Sequence, residues 1–291
     1  MASAQAASEG ITINPQAFYP EGPLADGEGV YYAEMGSDRV MRWDGNANRL
    51  IWSRPGCGPT SVARAGRDLI VLCHIEESLV RISVAGETLQ VIDRDRDGRP
   101  FMTPNASVND RKGGVYFSSS GLFSSAAPAQ GAVLYLDSSG RLSRLAEGVR
   151  YSNGVALTPD GGTLYVSEHL SRRVLAYDVA GDGRLFGRRV FVALDDLVGP
   201  EDGRGWEVGP DGLAVDSAGN VYVAEYGAGR LLIVDRRGGL LATVAVPERY
   251  VTAPALTPDE TRIYLTAPAS LFDPAEAGRV YAIANPVHRS Q

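Results

Sequence analysis

Residues 152–178 read SNGVALTPDGGTLYVSEHLSRRVLAYD, and the rest of the chain is this unit repeated. Asn153 opens it, a short apolar run follows from Gly154 to Leu157, and Pro159-Asp160-Gly161 supplies a tight turn. Two more β-branched and aromatic runs follow, Thr163 to Ser167 and Val174 to Tyr177, joined by a polar connection. Three such runs with turn chemistry between them predict an antiparallel meander, not a helix. The second run of each unit carries a register mark: Tyr31, Ile70, Tyr116, Tyr165, Tyr222 and Tyr264. The marks recur at intervals of 39, 46, 49, 57 and 42 residues. Units of 40–50 residues with about four short strands each are those of a β-propeller. The expected fold is therefore all-β, a six-bladed β-propeller with a central metal site. Closing the ring requires a blade shared between the chain ends, and Ile11–Ile13 with Val280–Ala284 are the candidates. Residues 1–10 read as a disordered leader and 11–291 as a single propeller domain.

Composition narrows the function. The 291 residues carry 28 Lys and Arg against 35 Asp and Glu, a net charge of −7 with no basic block. Nucleic acid and anionic membranes are thereby disfavoured as partners. No apolar run approaches the roughly 18 residues of a membrane span, and the N-terminus lacks signal-peptide character. Cys57 and Cys73 are too few for a disulfide framework, so they are expected as thiols packed in strands of a cytoplasmic protein.

In a propeller, the first strand of each blade lines the central channel and starts at one mouth. Counted back from the register marks, the residues at those starts are Glu21, Asn105, Asn153 and Asp211, with Pro59-Thr60 and Thr252-Ala253 in blades two and six. Each of the four alone is an ordinary turn residue. Together they point carboxylate and amide oxygens at one axial spot, as a hard divalent cation requires. The donor set is open to Ca, Mg, Mn, Zn or Fe(II). Loops between second and third strands belong to the same mouth and carry His74, Ser118–Gln130, Glu168-His169, Glu225-Tyr226 and Ala267–Glu276. With a charged segment at Glu201–Glu207 around Trp206, they are expected to form the pocket wall and a lid. No GxSxG elbow, HExxH motif or nucleotide loop is present.

The motifs YPEGP at Glu21, PN at Asn105, SNGVALTPDGGTLYVSE at Asn153 and GPDGLAVDSAGNVYVAEYGAGR at Asp211 resemble the SMP-30/gluconolactonase/luciferin-regenerating-enzyme-like family. The resemblance runs from about residue 18 to 283. It implies a six-bladed propeller with a divalent metal in its channel and lactone hydrolysis as the activity. It also implies Glu21, Asn153 and Asp211 as metal ligands, Asp211 as general base, and Asn105 as a contact to substrate or water. Sugar-lactone members usually have Arg two residues before that Asn and Asp after it; here these are Thr103 and Ala106. The aromatic residue that commonly follows EGP is replaced by Leu24-Ala25-Asp26. A small lactone other than gluconolactone is therefore expected, with Thr103, Asn105, His169 and Tyr226 at the substrate and His74 or His169 as an alternative base. A monomer or homodimer is expected. The competing readings are a propeller using the metal for non-hydrolytic chemistry, and a non-enzymatic propeller binding a small ligand at that mouth.

Overall fold

Short β-branched and aromatic runs separated by Gly, Asp and Asn favour strands over helices. In the computed structural model, which describes residues 10–199, 205–271 and 273–288, they form six four-stranded antiparallel sheets arranged as a six-bladed propeller. The expected leader lies outside the described residues except for Gly10, as do residues 201–204 of the charged segment. The inner strands are Pro20–Asp26, Pro59–Ala65, Pro104–Asn109, Ser152–Leu157, Gly209–Val215 and Ala253–Leu256. The ring closes as the sequence predicts, over a longer span. Ile11–Phe18 is the outer strand of blade six and pairs antiparallel with Ala277–Ala284, Ile11 opposite Ala282 and Phe18 opposite Ala277.

All six register marks are buried. The apolar clusters lie between blades: Phe117 of blade three packs with Ile70 and Leu72 of blade two, and Tyr222 of blade five with Ile263 and Leu265 of blade six. A fully buried Leu, Ile or Phe contributes about 1.5–3 kcal/mol. Burial at these interfaces thus fixes how the inner strands converge on the axis.

The last residue of the second strand marks the same mouth as the inner-strand starts. In blades one and four this last residue, and in blade five the one before it, is a buried glutamate paired with an arginine five residues on: Glu34 with Arg39, Glu168 with Arg173, and Glu225 with Arg230. Blade two has Cys73 at this place, opposite Ser78. Here the thiol expectation is corrected, because Cys57 and Cys73 form a disulfide with their Cα atoms 4.6 Å apart. Pairing of the first two strands sets Pro59 opposite Cys73 and carries Cys57 alongside. A separation of 16 residues does not disclose that contact. Disulfides persist in oxidising compartments, so the cysteines no longer support a cytoplasmic location. Among the described residues no helix is long and apolar enough to cross a membrane.

Candidate active site

Each inner strand must turn its first side chain toward the axis, and a regular strand does not do this. In blades one to five the pairing to the second strand breaks at that point. The breaks fall between Glu21 and Leu24, Pro59 and Ser61, Pro104 and Ser107, Ser152 and Val155, and Pro210 and Leu213. Such bulges re-aim a side chain. Blade six pairs from Ala253 to Leu256 without a break. Glycine follows three of the site residues, and at Gly22, Gly154 and Gly212 a Cβ would come within 2.3, 2.2 and 2.4 Å of the next blade's inner strand. The EG, NG and DG pairs therefore let the strands meet at the axis, a packing reason that the turn reading misses. Two residues before three of the site residues, Tyr19, Thr103 and Tyr151 adopt φ of 48°, 47° and 59°. Bulky and β-branched residues rarely occupy this left-handed region, and each costs of order 1–3 kcal/mol there.

A cavity of about 210 Å³ at this mouth is lined by Glu21, Asn105, Asn153 and Asp211 together with His74, His169 and Tyr226. The four site residues, separated by up to 190 positions, are thus brought together, and all four are buried. Burial, and then the charge of Asp211, push the Glu21 carboxyl well above the usual carboxylate range. Burial raises Asp211 likewise, against hydrogen bonds from the Gly212 amide and the Asn153 side chain. The Asn153 amide nitrogen serves Asp211, while its Oδ1 is buried with no partner. Two buried carboxylates without a cationic partner among the described residues, beside an orphaned amide oxygen, fit a hard divalent cation. Among the described residues no cluster of three or more His, Cys, Asp or Glu could hold a metal. The donor set here is two carboxylates and one amide.

Hydrogen bonds from one blade to the next fix these residues. Thr252 donates to the Pro20 carbonyl at 2.9 Å, and Thr60 to the Asn105 carbonyl at 2.8 Å. Ser120 donates to the Ser152 carbonyl at 2.7 Å, and Ser167 to the Asp211 carbonyl at 2.6 Å. Thr60 and Thr252, which occupy the channel-start positions of blades two and six, thus anchor their neighbours. The two histidines differ. His169 has both ring nitrogens against carbonyls, Nδ1 at 3.1 Å from Pro210 O and Nε2 at 2.8 Å from Glu207 O. His74 places Nδ1 3.1 Å from Pro104 O, leaving Nε2 as its free acceptor when Nδ1 carries the proton. A neutral His169 thus turns its lone pair toward a backbone carbonyl, whereas His74 has one ring nitrogen that no carbonyl faces among the described residues. Thr103 stands apart from the cavity lining, and its hydroxyl donates to the Gly121 carbonyl at 2.9 Å.

Burial holds the His169 imidazole near pKa 4, against an ordinary 6.5, despite its two carbonyl partners. Between these values the unfolded chain takes up a proton that the folded protein refuses, so stability falls as pH drops from about 6.5 to about 4 and levels off below. This one ring should contribute a loss of about 3 kcal/mol over that window. Urea titrations at pH 7, 5.5 and 4 should show a steeper fall for the wild type than for His169→Gln. Equal slopes would refute the assignment.

Much of the wall is apolar. Phe123, from the 118–130 loop, packs against Tyr151 at 4.8 Å, His169 at 5.3 Å and Trp206 at 4.9 Å between ring centroids. Met35 and Leu271 complete this side, Leu271 from the 267–276 loop. The expected wall loops do line the cavity, and Trp206 of the charged segment covers Phe123 at its edge. Tyr19 and Tyr226, from blades one and five, meet through hydroxyls 2.8 Å apart. Sequence reading found Tyr226 by its loop and passed over Tyr19, whose available signal was its place in YPEGP.

Fold and site together define a six-bladed propeller with an acidic, oxygen-donor pocket at one channel mouth. The chain belongs to the family described as SMP-30/Gluconolactonase/LRE-like region, whose model matches residues 19–269. Among curated relatives, Lactonase drp35 of Staphylococcus saprophyticus is 30% identical over 167 residues, 55% of this chain and 49% of that protein. Lactonase drp35 of Staphylococcus epidermidis is 32% identical over 143 residues, 49% of this chain and 41% of that protein. The matches span about half the length of these relatives or less. A gluconolactonase from Xanthomonas campestris superposes with TM-score 0.76 at 22% identity, over 98% of this chain and 99% of its own. A calcium-binding protein, regucalcin, from Agrobacterium tumefaciens strain C58 gives TM-score 0.78 at 19% identity, over 97% and 95%. At such identities these structures speak to the fold.

Proposed function

We propose that this protein is a divalent-metal-dependent lactonase opening a small lactone whose ring carries apolar surface. The observation that carries the reading is the convergence of Glu21, Asn153 and Asp211 from three blades, with two uncompensated carboxylates and the orphaned Asn153 Oδ1 facing one cavity. The lactonase relatives and the family support it. Glu21, Asn153 and Asp211 would hold one cation, which when bound supplies Lewis-acid polarisation of the ester carbonyl. Asn105 positions the substrate or the attacking water through its amide. As water adds to the carbonyl carbon, Asp211 takes the water's proton. The ring C–O bond then breaks, Asp211 returns the proton to the departing oxygen, and the product is a hydroxy acid that ionises and releases a proton to solvent. The buried wall excludes bulk water and favours an apolar face over a polyhydroxylated ring. Thr103 is left out of the binding set because its hydroxyl already serves Gly121.

A pH-indicator assay tests this on chelator-stripped protein across sugar, γ-butyro- and larger apolar lactones, with each divalent ion restored in turn. Metal-dependent acid release, faster on apolar lactones than on gluconolactone, is the expected outcome. No turnover with any lactone and any ion would overturn the function. Equal efficiency on gluconolactone would overturn the substrate preference alone.

A further inference from the structure

Five blades carry a bulge at the channel mouth, and the sixth does not. Blade six brings Thr252 there, and its hydroxyl is spent on the Pro20 carbonyl and on Thr266. The sector between blades five and one therefore receives no free polar group from the inner strand beneath it. Two tyrosines cover it instead. Tyr19 stands at the start of blade one and Tyr226 ends the second strand of blade five. They are 207 residues apart in sequence, and their hydroxyls meet at 2.8 Å within the cavity wall. Tyr226 is buttressed by the Tyr250 ring at 5.0 Å and by His169 at 5.9 Å. Tyr19 holds the left-handed backbone described above, which the surrounding structure must impose.

Proton accounting gives this pair a function. Two phenols carry two protons, and their mutual bond consumes one, whichever oxygen donates. Neither hydroxyl has another hydrogen-bond partner among the described residues. One donor is left over at the wall of the cavity that Glu21, Asn153 and Asp211 line. Phenols are protonated at neutral pH, so the surplus proton stays in place.

We propose that Tyr19 and Tyr226 act as one hydrogen-bond donor to the substrate oxygen on which negative charge develops as water adds to the lactone carbonyl. The proposal rests on the lactonase reading and assigns that site its donor. One tyrosine is the terminal donor and the other fixes it, so the two act as a unit. Such a donor already bonds the carbonyl oxygen of the bound ring and strengthens as negative charge develops there, so it moves kcat more than KM.

The test is the double-mutant cycle Tyr19→Phe, Tyr226→Phe and Tyr19→Phe/Tyr226→Phe in the metal-loaded protein, on the best lactone of the panel. At least one single variant should lose about 100-fold or more in kcat with KM within about threefold. The double variant should be no worse than the poorer single variant. Wild-type kcat in both single variants, or losses that multiply in the double variant, would overturn the proposal. Should a variant unfold, the tyrosine ultraviolet difference spectrum of the wild-type protein saturated with δ-valerolactam takes its place. A red shift supports the donor, and bound lactam without a shift overturns it. A wild-type protein that neither hydrolyses lactones nor binds the lactam sinks the lactonase reading and this proposal with it. Wild-type turnover with unaffected variants sinks the donor alone.

Discussion

Asp211→Ala should lower lactone turnover by about a thousandfold or more, the range seen when a group essential to a hydrolytic site is removed. The physical argument joins two roles in one carboxylate. In the proposed mechanism Asp211 would complete the oxygen donor set with Glu21 and Asn153 and also take the water's proton; it is a buried carboxyl lining the same cavity. Asp211→Asn separates these roles, because an amide retains a donor oxygen but does not take a proton. The informative measurement is kcat beside metal content in both variants. Lost activity with metal retained in Asp211→Asn identifies the base, and appreciable activity with metal retained removes Asp211 from that role and moves it to His74. A second readout follows from electrostatics. The charge on Asp211 raises the Glu21 carboxyl, and two buried carboxylates repel. Chelator-stripped Asp211→Asn should therefore melt above chelator-stripped wild type, while with metal restored it should be far less active than metal-loaded wild type, an opposition that general damage to the fold would not produce.

Glu225→Gln should destabilise the protein by about 3 kcal/mol or more, the cost of breaking a buried ion pair by removing one partner. Glu225 is fully buried, accepts from Arg172 at 2.9 Å and from Arg230 at 2.5 Å, and thereby links blades four and five beneath the mouth. Glutamine keeps the shape and an acceptor but removes the carboxylate charge that Arg172 and Arg230 share, although Arg172 retains its pair with Asp195 at 3.0 Å. The contrast is Asp182, whose pair with Arg184 is exposed on both sides. Exposed pairs are screened by solvent and contribute little, so Asp182→Asn should be near neutral. Urea unfolding of both variants decides the matter. A Glu225→Gln midpoint equal to that of wild type would show the buried pair to be dispensable. Because Glu225 immediately precedes Tyr226, this variant should also weaken the tyrosine pair, and a fall in kcat is expected even where the protein remains folded.

The difference between His74 and His169 shows how geometry divides residues that look alike in the chain. Both follow the second strand of a blade, both line the cavity, and burial depresses both to about pKa 4. The sequence offers them equally as bases. Backbone carbonyls then occupy both nitrogens of His169 and only one of His74. His169 becomes a clamp on the segment leading to Asp211, and His74 keeps the free atom.

Contiguous residues determine strands and turns. The alternation, the turn residues and the spacing from Tyr31 to Tyr264 were therefore sufficient for six blades, for closure by the N-terminal strand, and for the channel starts at Glu21, Asn105, Asn153 and Asp211. Symmetry did the rest, since a repeated local position becomes a single place once the blades form a ring. What the tertiary structure alone decided lies between blades. The Cys57–Cys73 bond, the displacement of Thr103 from the cavity, the clearances at Gly22, Gly154 and Gly212, and the Tyr19–Tyr226 contact all depend on segments whose approach no local pattern encodes. Side-chain hydrogen bonds act within about 3 Å. Whether two residues 207 positions apart share one is settled by how six packed sheets converge, and that convergence is a property of the folded ring, not of either tyrosine's neighbours in the chain.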